Sequence, residues 1–324
     1  ALVLDDAHVC RRVFHPDPRH ARGRRQAPTT IADTVLRLCV RGQRCASVAA
    51  MSGGRAFLLT PSHPEPLSRV VAVRYVLPLR EGGSLPAIVE ADDLGTYVVK
   101  FTGAGQGRKA LVAEVICAGL ARAVGLRVPD LVVAEVDEAL ARSEPDPEIQ
   151  ALLRASAGPN LGIDYLPRSL GFEPAADVVD PTTAAAVVWF DAVVQNVDRS
   201  WRNPNLLCWH GDLWLIDHGA ALYFAHSWDR AGDAATREYT RVSDHVLLSA
   251  AGSLEAAHAE LAPRLPPDVV RQAVAAVPDE WLLDDDERFA GPDDVRAAYA
   301  AVLDERLASP DSWLPALERA RARV

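Results

Sequence analysis

The sequence contains very little lysine. Of its 324 residues only Lys100 and Lys109 are lysines, although lysine and arginine together number 34. Methionine occurs once, and asparagine occurs at only four positions. Any mechanism that needs a lysine amine therefore has only these two candidates.

Cysteine and long apolar segments are also scarce. The five cysteines are scattered, and no two of them have the C-x-x-C spacing of a zinc knuckle. They are too few for a disulfide scaffold, so we expect a reducing, cytoplasmic environment. The longest uncharged apolar stretch lies near residues 184–190, far shorter than the ~20 residues of a membrane span. We therefore expect no membrane partner.

Charge is distributed unevenly along the chain. The formal net charge is -10, but residues 1–66 hold ten arginines against five acids, which leaves a strongly acidic remainder. An acidic body repels phosphates, which argues against nucleic acid as a partner. We expect residues 1–66 to be a basic N-terminal extension whose first 50 residues are dispensable or a mis-assigned start. A nucleic-acid-binding arm and a targeting peptide are the alternatives.

The first part of the chain has the pattern of a sheet with one long helix. Short β-rich runs bounded by turn residues predict strands at 69–79, 85–90, 96–101, 128–136 and 161–166. Asp92 to Gly95 is predicted to form a hairpin turn. A helix is predicted at 110–124 with Gly125 as its stop, and a short helical piece at 148–155.

From residue 181 the pattern becomes mainly helical. An apolar helix is predicted at 181–197, followed by a loop and a short hairpin of strands 205–209 and 213–217. Further helices are predicted at 243–251, 254–261, 268–277 and 293–308. This order favours an α+β fold of two lobes with a cleft between them. Its β-rich N-lobe with one helix would span 67–166, and its mainly helical C-lobe 167–324.

Three of the four asparagines lie in one ten-residue segment, 196–205, which also contains Asp198. The sequence Asp217-His218-Gly219 follows shortly afterwards. Phosphoryl transfer from ATP needs one carboxylate to orient the attacking hydroxyl, and an Asn and a second carboxylate to hold Mg²⁺. Kinases place the Asn five positions after the first Asp, with an Asp-x-Gly further on. Asp198, Asn203 and Asp217 have this spacing.

Two other segments imitate parts of this pattern. Asp191 and Asn196 have the same spacing, but Asp191 lies inside the predicted helix, where it cannot easily face a nucleotide. His210-Gly211-Asp212 resembles the catalytic motif of small-molecule phosphotransferases, which need an Asn five residues later, and Asp217 stands there instead. We interpret residues 210–212 as the turn of the hairpin.

The upstream half of a kinase site is also present. Lys100 lies on a predicted strand and Glu114 on the helix that follows it, as a phosphate-binding lysine and its partner would. The alternative is a strand-end lysine in water and an exposed helix glutamate. Glycine-rich stretches occur at 82–83 and 103–107, but neither matches G-x-x-x-x-G-K-[ST], which excludes a P-loop NTPase.

Taken in order, these segments resemble the HipA-like kinases, most closely an actinobacterial branch with a stand-alone kinase domain, and more distantly the phosphatidylinositol kinases. The similarity covers about residues 68–300 and rests on GGS, YVVKF, Glu114, GIDYL, NVDRSWRNPN and LIDHG. It implies that Asp198 is the catalytic base, that Asn203 and Asp217 bind Mg²⁺, and that Lys100 clamps the phosphates of ATP beside Glu114.

The resemblance also implies an α+β, two-lobed protein-kinase-like fold, and it implies where the nucleotide would lie. The backbone of four residues would form the hinge under adenine: Ile163, Asp164, Tyr165 and Leu166. Gly82, Gly83 and Ser84 would cover the phosphates, and Ser84 is the candidate for autophosphorylation. Full HipA toxins place an N-terminal subdomain before the kinase core, and this sequence lacks a counterpart. A toxin role and an antitoxin are therefore not implied, and the sequence does not identify a regulatory partner.

The leading hypothesis is an ATP- and Mg²⁺-dependent phosphotransferase with a protein Ser/Thr as acceptor. A small molecule or a lipid headgroup is the alternative acceptor. A second hypothesis is a nucleotide-binding pseudokinase that acts as a scaffold. A third is a pyridoxal-phosphate enzyme in which Lys100 or Lys109 forms the Schiff base.

Overall fold

The computed structural model describes residues 66–79, 85–105, 107–282 and 287–324. The predicted basic extension lies outside these residues except for Pro66. So do Gly82, Gly83 and Ser84, and the structure therefore gives no account of the predicted phosphate loop. Within the described residues the fold is mixed α+β.

The first five strands form a closed barrel in the order β1-β2-β3-β5-β4. Their bounds are β1 Ser68–Pro78, β2 Ala87–Ala91, β3 Thr96–Lys100, β4 Leu131–Val136 and β5 Gly158–Asp164. The pairs are antiparallel except for β1 with β4, which is parallel and closes the barrel. All five predicted strands are confirmed. The last begins three residues before its prediction, because Gly158 already pairs with Val136.

Alternate residues of the barrel strands face two different cores. In β3, Tyr97 and Val99 join one apolar cluster, whereas Val98 joins the main core of the protein. This is the period of two expected for strands buried on both faces. Gly162 in β5 lies so close to β4 that an added Cβ would stand 2.6 Å from Val132 Cγ2.

One helix follows β3 in the chain, and a second lies between β4 and β5. Helix α1, Gly107–Val124, is buried along almost its whole length and packs into the main core. It ends where predicted, because Gly125 adopts a left-handed φ of 90°. Helix α2, Pro147–Ala155, begins at an Asp146 side chain that accepts a hydrogen bond from Glu148 N.

Helix α3, Pro181–Val194, is the most apolar element of the fold. Asp180 caps its start by accepting hydrogen bonds from the backbone N–H groups of Thr182 and Thr183. The helix ends three residues before the predicted end, because Gln195 turns into a left-handed conformation with φ 54°. That turn directs the chain away from the helix axis into the loop that carries Asp198.

A small second sheet lies beyond this loop. It contains β6 Leu170–Gly171, β7 Leu206–Trp209 and β8 Asp212–Leu215 in that order. The predicted hairpin and its turn are confirmed, with His210 at φ 51° and Gly211 at φ 86° in the two-residue connection. The sequence did not predict β6, which is too short to produce a periodic pattern.

The described remainder of the chain is mainly helical. The helices are α4 Ala231–Thr236, α5 Leu254–Leu261, α6 Pro267–Ala275, α7 Pro292–Ala308 and α8 Leu314–Arg321. The predicted helices at 254–261, 268–277 and 293–308 are confirmed, whereas α4 and α8 were not predicted. No helix within the described residues is both long and apolar enough to cross a membrane.

The predicted helix at 243–251 is wrong. Two short 3₁₀ turns, Val242–Asp244 and Leu248–Ala250, stand there instead. Between them His245 is extended, because its backbone pairs with Ser200 and the next N–H, that of Val246, donates to Arg199 O at 3.4 Å. The contact with the Asp198 loop therefore overrides the helical pattern of the sequence.

We predict that Gly162→Ala lowers the free energy of unfolding by about 1–3 kcal/mol, because the new methyl group overlaps the β-branched Val132. The matched control is Gly232→Ala in α4, where a Cβ would meet nothing within 4 Å. That change should stabilise the protein by roughly 0.4–1 kcal/mol. Urea denaturation of both variants measures the two effects, and equal shifts would contradict the close approach of β4 and β5.

Candidate active site

Lys100 brings three distant segments of the chain together. Its Nζ lies 2.5 Å from Glu114 Oε1 on α1 and 2.7 Å from Asp217 Oδ1 just beyond β8. Lys100 and Glu114 are both buried, with exposed fractions of 4% and 3%. The structure thus brings together these three residues, and the alternative of a solvated lysine with an exposed glutamate is wrong.

The charges of this cluster stabilise one another. Burial by itself lowers the pKa of Lys100, but Asp217 and Glu114 outweigh it and raise that pKa above its ordinary value. Burial likewise raises the pKa of Glu114, but Lys100 and His218 hold it well below the usual range. The amine stays protonated and the carboxylate ionised, so Lys100 is suited to binding phosphate and unsuited to forming a Schiff base.

Asp198 lies half-buried in the loop after α3, where two asparagine amides contact one of its oxygens. Asn203 Nδ2 donates to Asp198 Oδ2 at 2.7 Å, and Asn205 Nδ2 lies 3.4 Å from the same oxygen. The other oxygen, Oδ1, accepts no hydrogen bond from the described residues. Because an ionised carboxylate only accepts hydrogen bonds, this arrangement fixes the orientation of both amides.

The fixed amides leave two buried oxygens without partners. Asn203 Oδ1 and Asn205 Oδ1 accept no hydrogen bond within the described part of the chain. Buried polar atoms are almost always satisfied, so these orphaned amide oxygens indicate a missing donor or cation. Amide and carboxylate oxygens are the ligands that Mg²⁺ prefers. Asn203 and Asp217 therefore fit the predicted metal, although the described residues contain no cluster of three or more His, Cys, Asp or Glu for one.

The guanidinium of Arg199 organises the backbone around this site. Its side chain is fully buried, and Nη1 donates to the carbonyl of Asn205 and more weakly to those of Pro204 and Ile216, at 3.4 and 3.5 Å. These carbonyls belong to the loop after Asn203 and to the residue before Asp217. One side chain thus connects the two segments that carry the predicted metal ligands.

Asp191 neutralises Arg199 from within α3. Arg199 Nε contacts Asp191 Oδ2 at 2.5 Å, and His245 Nε2 lies 2.9 Å from the same oxygen. Asn196 Nδ2 donates to Asp191 Oδ1 at 3.2 Å and its Oδ1 accepts from Asp198 N at 3.1 Å. The imitation motif Asp191–Asn196 is therefore structural, and the predicted place of Asp191 inside a helix is confirmed.

His218 links Arg199 to the lysine cluster. Arg199 Nη2 lies 3.2 Å from His218 Nε2, and His218 Nδ1 lies 3.6 Å from Glu114 Oε2. Arginine can only donate, so Nε2 accepts and the ring proton of the neutral imidazole is assigned to Nδ1, facing the carboxylate. The His218 ring is buried, and its two nitrogens face Arg199 and Glu114.

Residues in the left-handed region occur at the turns of the site. Gln195, Asn205 and Asp217 have φ values of 54°, 49° and 54°. This conformation is uncommon for residues other than glycine, although Asn and Asp tolerate it best. Backbone of this kind often marks functional sites, because the surroundings must hold it in place.

The predicted adenine hinge lies at the end of β5. Asp164 N donates to Asp130 O at 2.8 Å and Tyr165 N to Thr96 O at 3.0 Å, so both amides are used inside the protein. Leu166 is buried, and its N–H has no acceptor among the described residues. Of these three amides, Leu166 alone is left for a ligand.

Sequence reasoning missed the part of the site that lies beneath the surface. It did not single out Arg199 or His245, and it set Asp191 aside. The available signal was an aspartate in an otherwise apolar helix, since a buried carboxylate needs a buried cation as its partner. Nothing in the sequence pattern identifies which of the abundant arginines supplies that cation.

A buried lysine between two carboxylates, together with an aspartate held by asparagine amides, is the arrangement expected of a phosphotransferase. The family profile described as HipA-like kinase matches residues 73–314, and the chain belongs to this family. The resemblance seen in the sequence is confirmed, and the family supports a kinase-type phosphotransferase.

Comparison with solved structures and with curated proteins adds two findings. The crystal structure of the Helicobacter pylori proinflammatory kinase CtkA is similar at 11% identity, with a TM-score of 0.44. The match covers 80% of this chain and 98% of that one. Comparison with curated proteins finds no match.

We predict that Asp191→Asn lowers the free energy of unfolding by about 3–5 kcal/mol, because it leaves the Arg199 charge buried without its counter-ion. The control is Asp229→Asn, which breaks an exposed ion pair with Arg288 and should change stability by less than about 1 kcal/mol. Urea denaturation at neutral pH compares the two variants, and similar losses would contradict the role given to the buried pair.

The same pair has a pH signature. Burial favours a raised pKa, but Arg199 and His245 lower the pKa of Asp191 to about 2. A folded-state pKa below the unfolded value of about 3.9 gives stability that is present above pH ~4 and lost as the pH falls toward 2. The Asp191→Asn variant should therefore lose stability less steeply than the wild type across this window.

Proposed function

We propose that the protein is an ATP- and Mg²⁺-dependent kinase that transfers the γ-phosphate of ATP to a Ser or Thr hydroxyl of a protein. The observation that carries this proposal is the buried contact of Lys100 with both Glu114 and Asp217. A kinase requires this lysine, its helix glutamate and the metal-binding aspartate to be in place together.

The proposed domain arrangement has two lobes. The β-rich lobe would span 67–166 and supply Lys100 and Glu114, and the helical lobe would span 167–324 and supply Asp198 and Asp217. The contacts of Lys100 with Asp217 and of His218 with Glu114 support this arrangement, since each joins a residue of one range to a residue of the other. The nucleotide would bind between the ranges.

Lys100 would bind the phosphates of ATP, with Glu114 holding the amine in position. Gly82, Gly83 and Ser84 would cover the phosphates, as in the family. The adenine would lie against residues 163–166, with Leu166 N–H as the donor to the base, because the amides of Asp164 and Tyr165 are already used. Because only one amide would contact the base, much of the affinity for ATP would come from contacts with its phosphates and the metal.

Asn203 and Asp217 would hold Mg²⁺, which when bound supplies positive charge that offsets the negative charge of the phosphates. The orphaned Asn203 Oδ1 supports its role as a ligand. The position of that oxygen is fixed in advance, since the Asn203 amide is tied to Asp198 at 2.7 Å. A preorganised ligand loses little conformational freedom when the cation binds.

Asp198 would orient the acceptor and take up its proton. Asn203 and Asn205 both contact Oδ2, so Oδ1 remains to accept the hydrogen bond of the acceptor hydroxyl. The hydroxyl oxygen then forms a bond to the γ-phosphorus, and the bond from that phosphorus to the β,γ-bridging oxygen breaks. ADP leaves with the electron pair, and the hydroxyl proton passes to Asp198.

The alternatives give different results in two assays. A pseudokinase would bind nucleotide without turning it over, and a kinase of small molecules or lipid headgroups would turn over ATP without labelling proteins. A pyridoxal-phosphate enzyme is disfavoured, because the two carboxylates beside Lys100 keep its amine charged. Lys109 is disfavoured as well, since its Nζ donates to Ala225 O at 2.9 Å.

We predict that Lys100→Met reduces ATP turnover by roughly a hundredfold or more, because the phosphates lose their fixed cation. Lys109→Met, which removes the only other lysine, is the matched control and should retain turnover. Circular dichroism must show that both variants are folded. Equal turnover by the wild type and a folded Lys100→Met variant would refute the assignment of Lys100.

We further predict that two aspartate variants separate metal binding from chemistry. Asp198→Ala should abolish transfer of labelled phosphate yet keep the Mg²⁺-dependent thermal stabilisation by ATP. Asp217→Ala should lose both, because it removes a proposed metal ligand. Thermal shift with and without Mg²⁺ and incorporation of labelled phosphate give the two readouts. Stabilisation without transfer in the wild type would favour the pseudokinase instead.

A further inference from the structure

Trp201 is unlike the other tryptophans of the protein. The chain has seven, all within the described residues, and Trp201 alone is exposed, with 59% of its surface in contact with solvent. Trp189 and Trp313 are completely buried, and the others are buried or half-buried. A tryptophan left in water gives up the large stabilisation that its burial would provide, so its position requires another explanation.

The backbone holds Trp201 in a fixed place beside the proposed base. Trp201 and Arg202 are the two central residues of a tight turn closed by Ser200 N to Asn203 O at 3.0 Å and Asn203 N to Ser200 O at 3.1 Å. Ser200 also pairs with His245, which anchors the stem of the turn. The turn lies between Asp198 and Asn203, so a molecule that contacts its tip is next to the proposed site of transfer.

Arg202 adds a charge to the tip of this turn. Its guanidinium carbon lies 4.3 Å above the centre of the Trp201 ring, a cation–π contact. A guanidinium stacked on an aromatic face keeps its N–H groups free at the edge, where they match the two oxygens of a carboxylate. Both side chains are exposed, and the stacking limits the freedom that each would lose on binding a partner.

The charge at the tip, which is opposite to that of the whole chain, indicates which partner it would attract. The protein is acidic, with a net charge of -10, and Arg202 places a cation beside the site of transfer. An acidic segment would be repelled by most of the surface and attracted at this point, which favours a defined orientation. An aromatic side chain paired with an arginine is also the composition most frequent in the binding hot spots of protein interfaces.

We propose that Trp201 and Arg202 form a docking pair that binds an acidic segment of the protein acceptor next to its phosphorylated hydroxyl. Trp201 contacts the apolar or backbone part of that segment, and Arg202 pairs with an Asp or Glu close to the acceptor residue. The proposal rests on the proposed kinase activity and specifies the substrate class of the same site.

The test uses the purified full chain, Mg²⁺, labelled ATP and a library of Ser-centred peptides with every residue at each flanking position. The variants are Trp201→Ala, Trp201→Phe, Arg202→Ala and Arg202→Glu. The matched control is Arg154→Glu, because Arg154 is an exposed arginine on α2 that hydrogen-bonds to Gln150. Thermal shift by Mg²⁺ and ATP is measured on every variant.

We expect the wild type to select peptides with Asp or Glu beside the serine. Arg202→Glu should lower kcat/KM for these peptides about tenfold or more and shift selection toward Lys and Arg, with stabilisation by ATP unchanged. Trp201→Ala should raise KM for peptide, and Trp201→Phe should restore part of the loss. Arg154→Glu should leave the selection as it is in the wild type.

Three results would overturn the docking pair while leaving the kinase assignment intact. The first is unchanged selection in Arg202→Glu and Trp201→Ala. The second is loss of stabilisation by ATP in Arg202→Glu, which would assign the arginine to the nucleotide. The third is turnover of ATP by a wild type that phosphorylates no peptide. A wild type that neither binds nor turns over ATP would overturn both the docking pair and the proposed function.

Discussion

The buried ion pair between Asp191 and Arg199 is the interaction on which the arrangement of the candidate site depends. Both side chains are removed from water, so each charge is tolerated only because the other is present. The helix residue fixes the arginine, and the arginine in turn holds backbone carbonyls of the two segments that present Asn203 and Asp217. Lysine could not replace it, because only a planar guanidinium offers enough donors in a fixed fork to reach this many acceptors.

The same arginine connects the two sides of the site through His218. The imidazole accepts from Arg199 and faces Glu114, so a continuous chain of polar contacts runs from Asp191 to Lys100. Polar contacts of this kind are costly when incomplete and rigid when satisfied. The candidate site is therefore a rigid base in which a few atoms have no partner among the described residues: the buried amide oxygens of Asn203 and Asn205, and one oxygen of Asp198. These are the atoms at which a ligand would be bound.

Local pattern was sufficient to predict much of this arrangement. The strand bearing Lys100, the helix bearing Glu114 and the spacing of Asp198, Asn203 and Asp217 are all set by short segments, and the structure brings these residues into two contacting groups. The supporting residues could not be predicted, because no local pattern of the sequence shows which carbonyls and side chains contact Arg199. The wrong prediction of a helix at 243–251 also has a tertiary contact as its cause. Its pattern is helical, but pairing of His245 with Ser200 imposes an extended backbone, since tertiary contacts outweigh intrinsic helix propensity.

Three acceptors of Arg199 within the site are main-chain carbonyls, and this has a consequence for how related sequences can vary. A bond to the carbonyl of Pro204, Asn205 or Ile216 does not depend on which side chain that residue carries. Substitutions that keep the backbone conformation of these residues therefore leave these three bonds in place, provided that Arg199 and Asp191 are kept. The tip at Trp201 and Arg202 is free to vary over this support, so that related enzymes could acquire new targets without rebuilding the machinery beneath them.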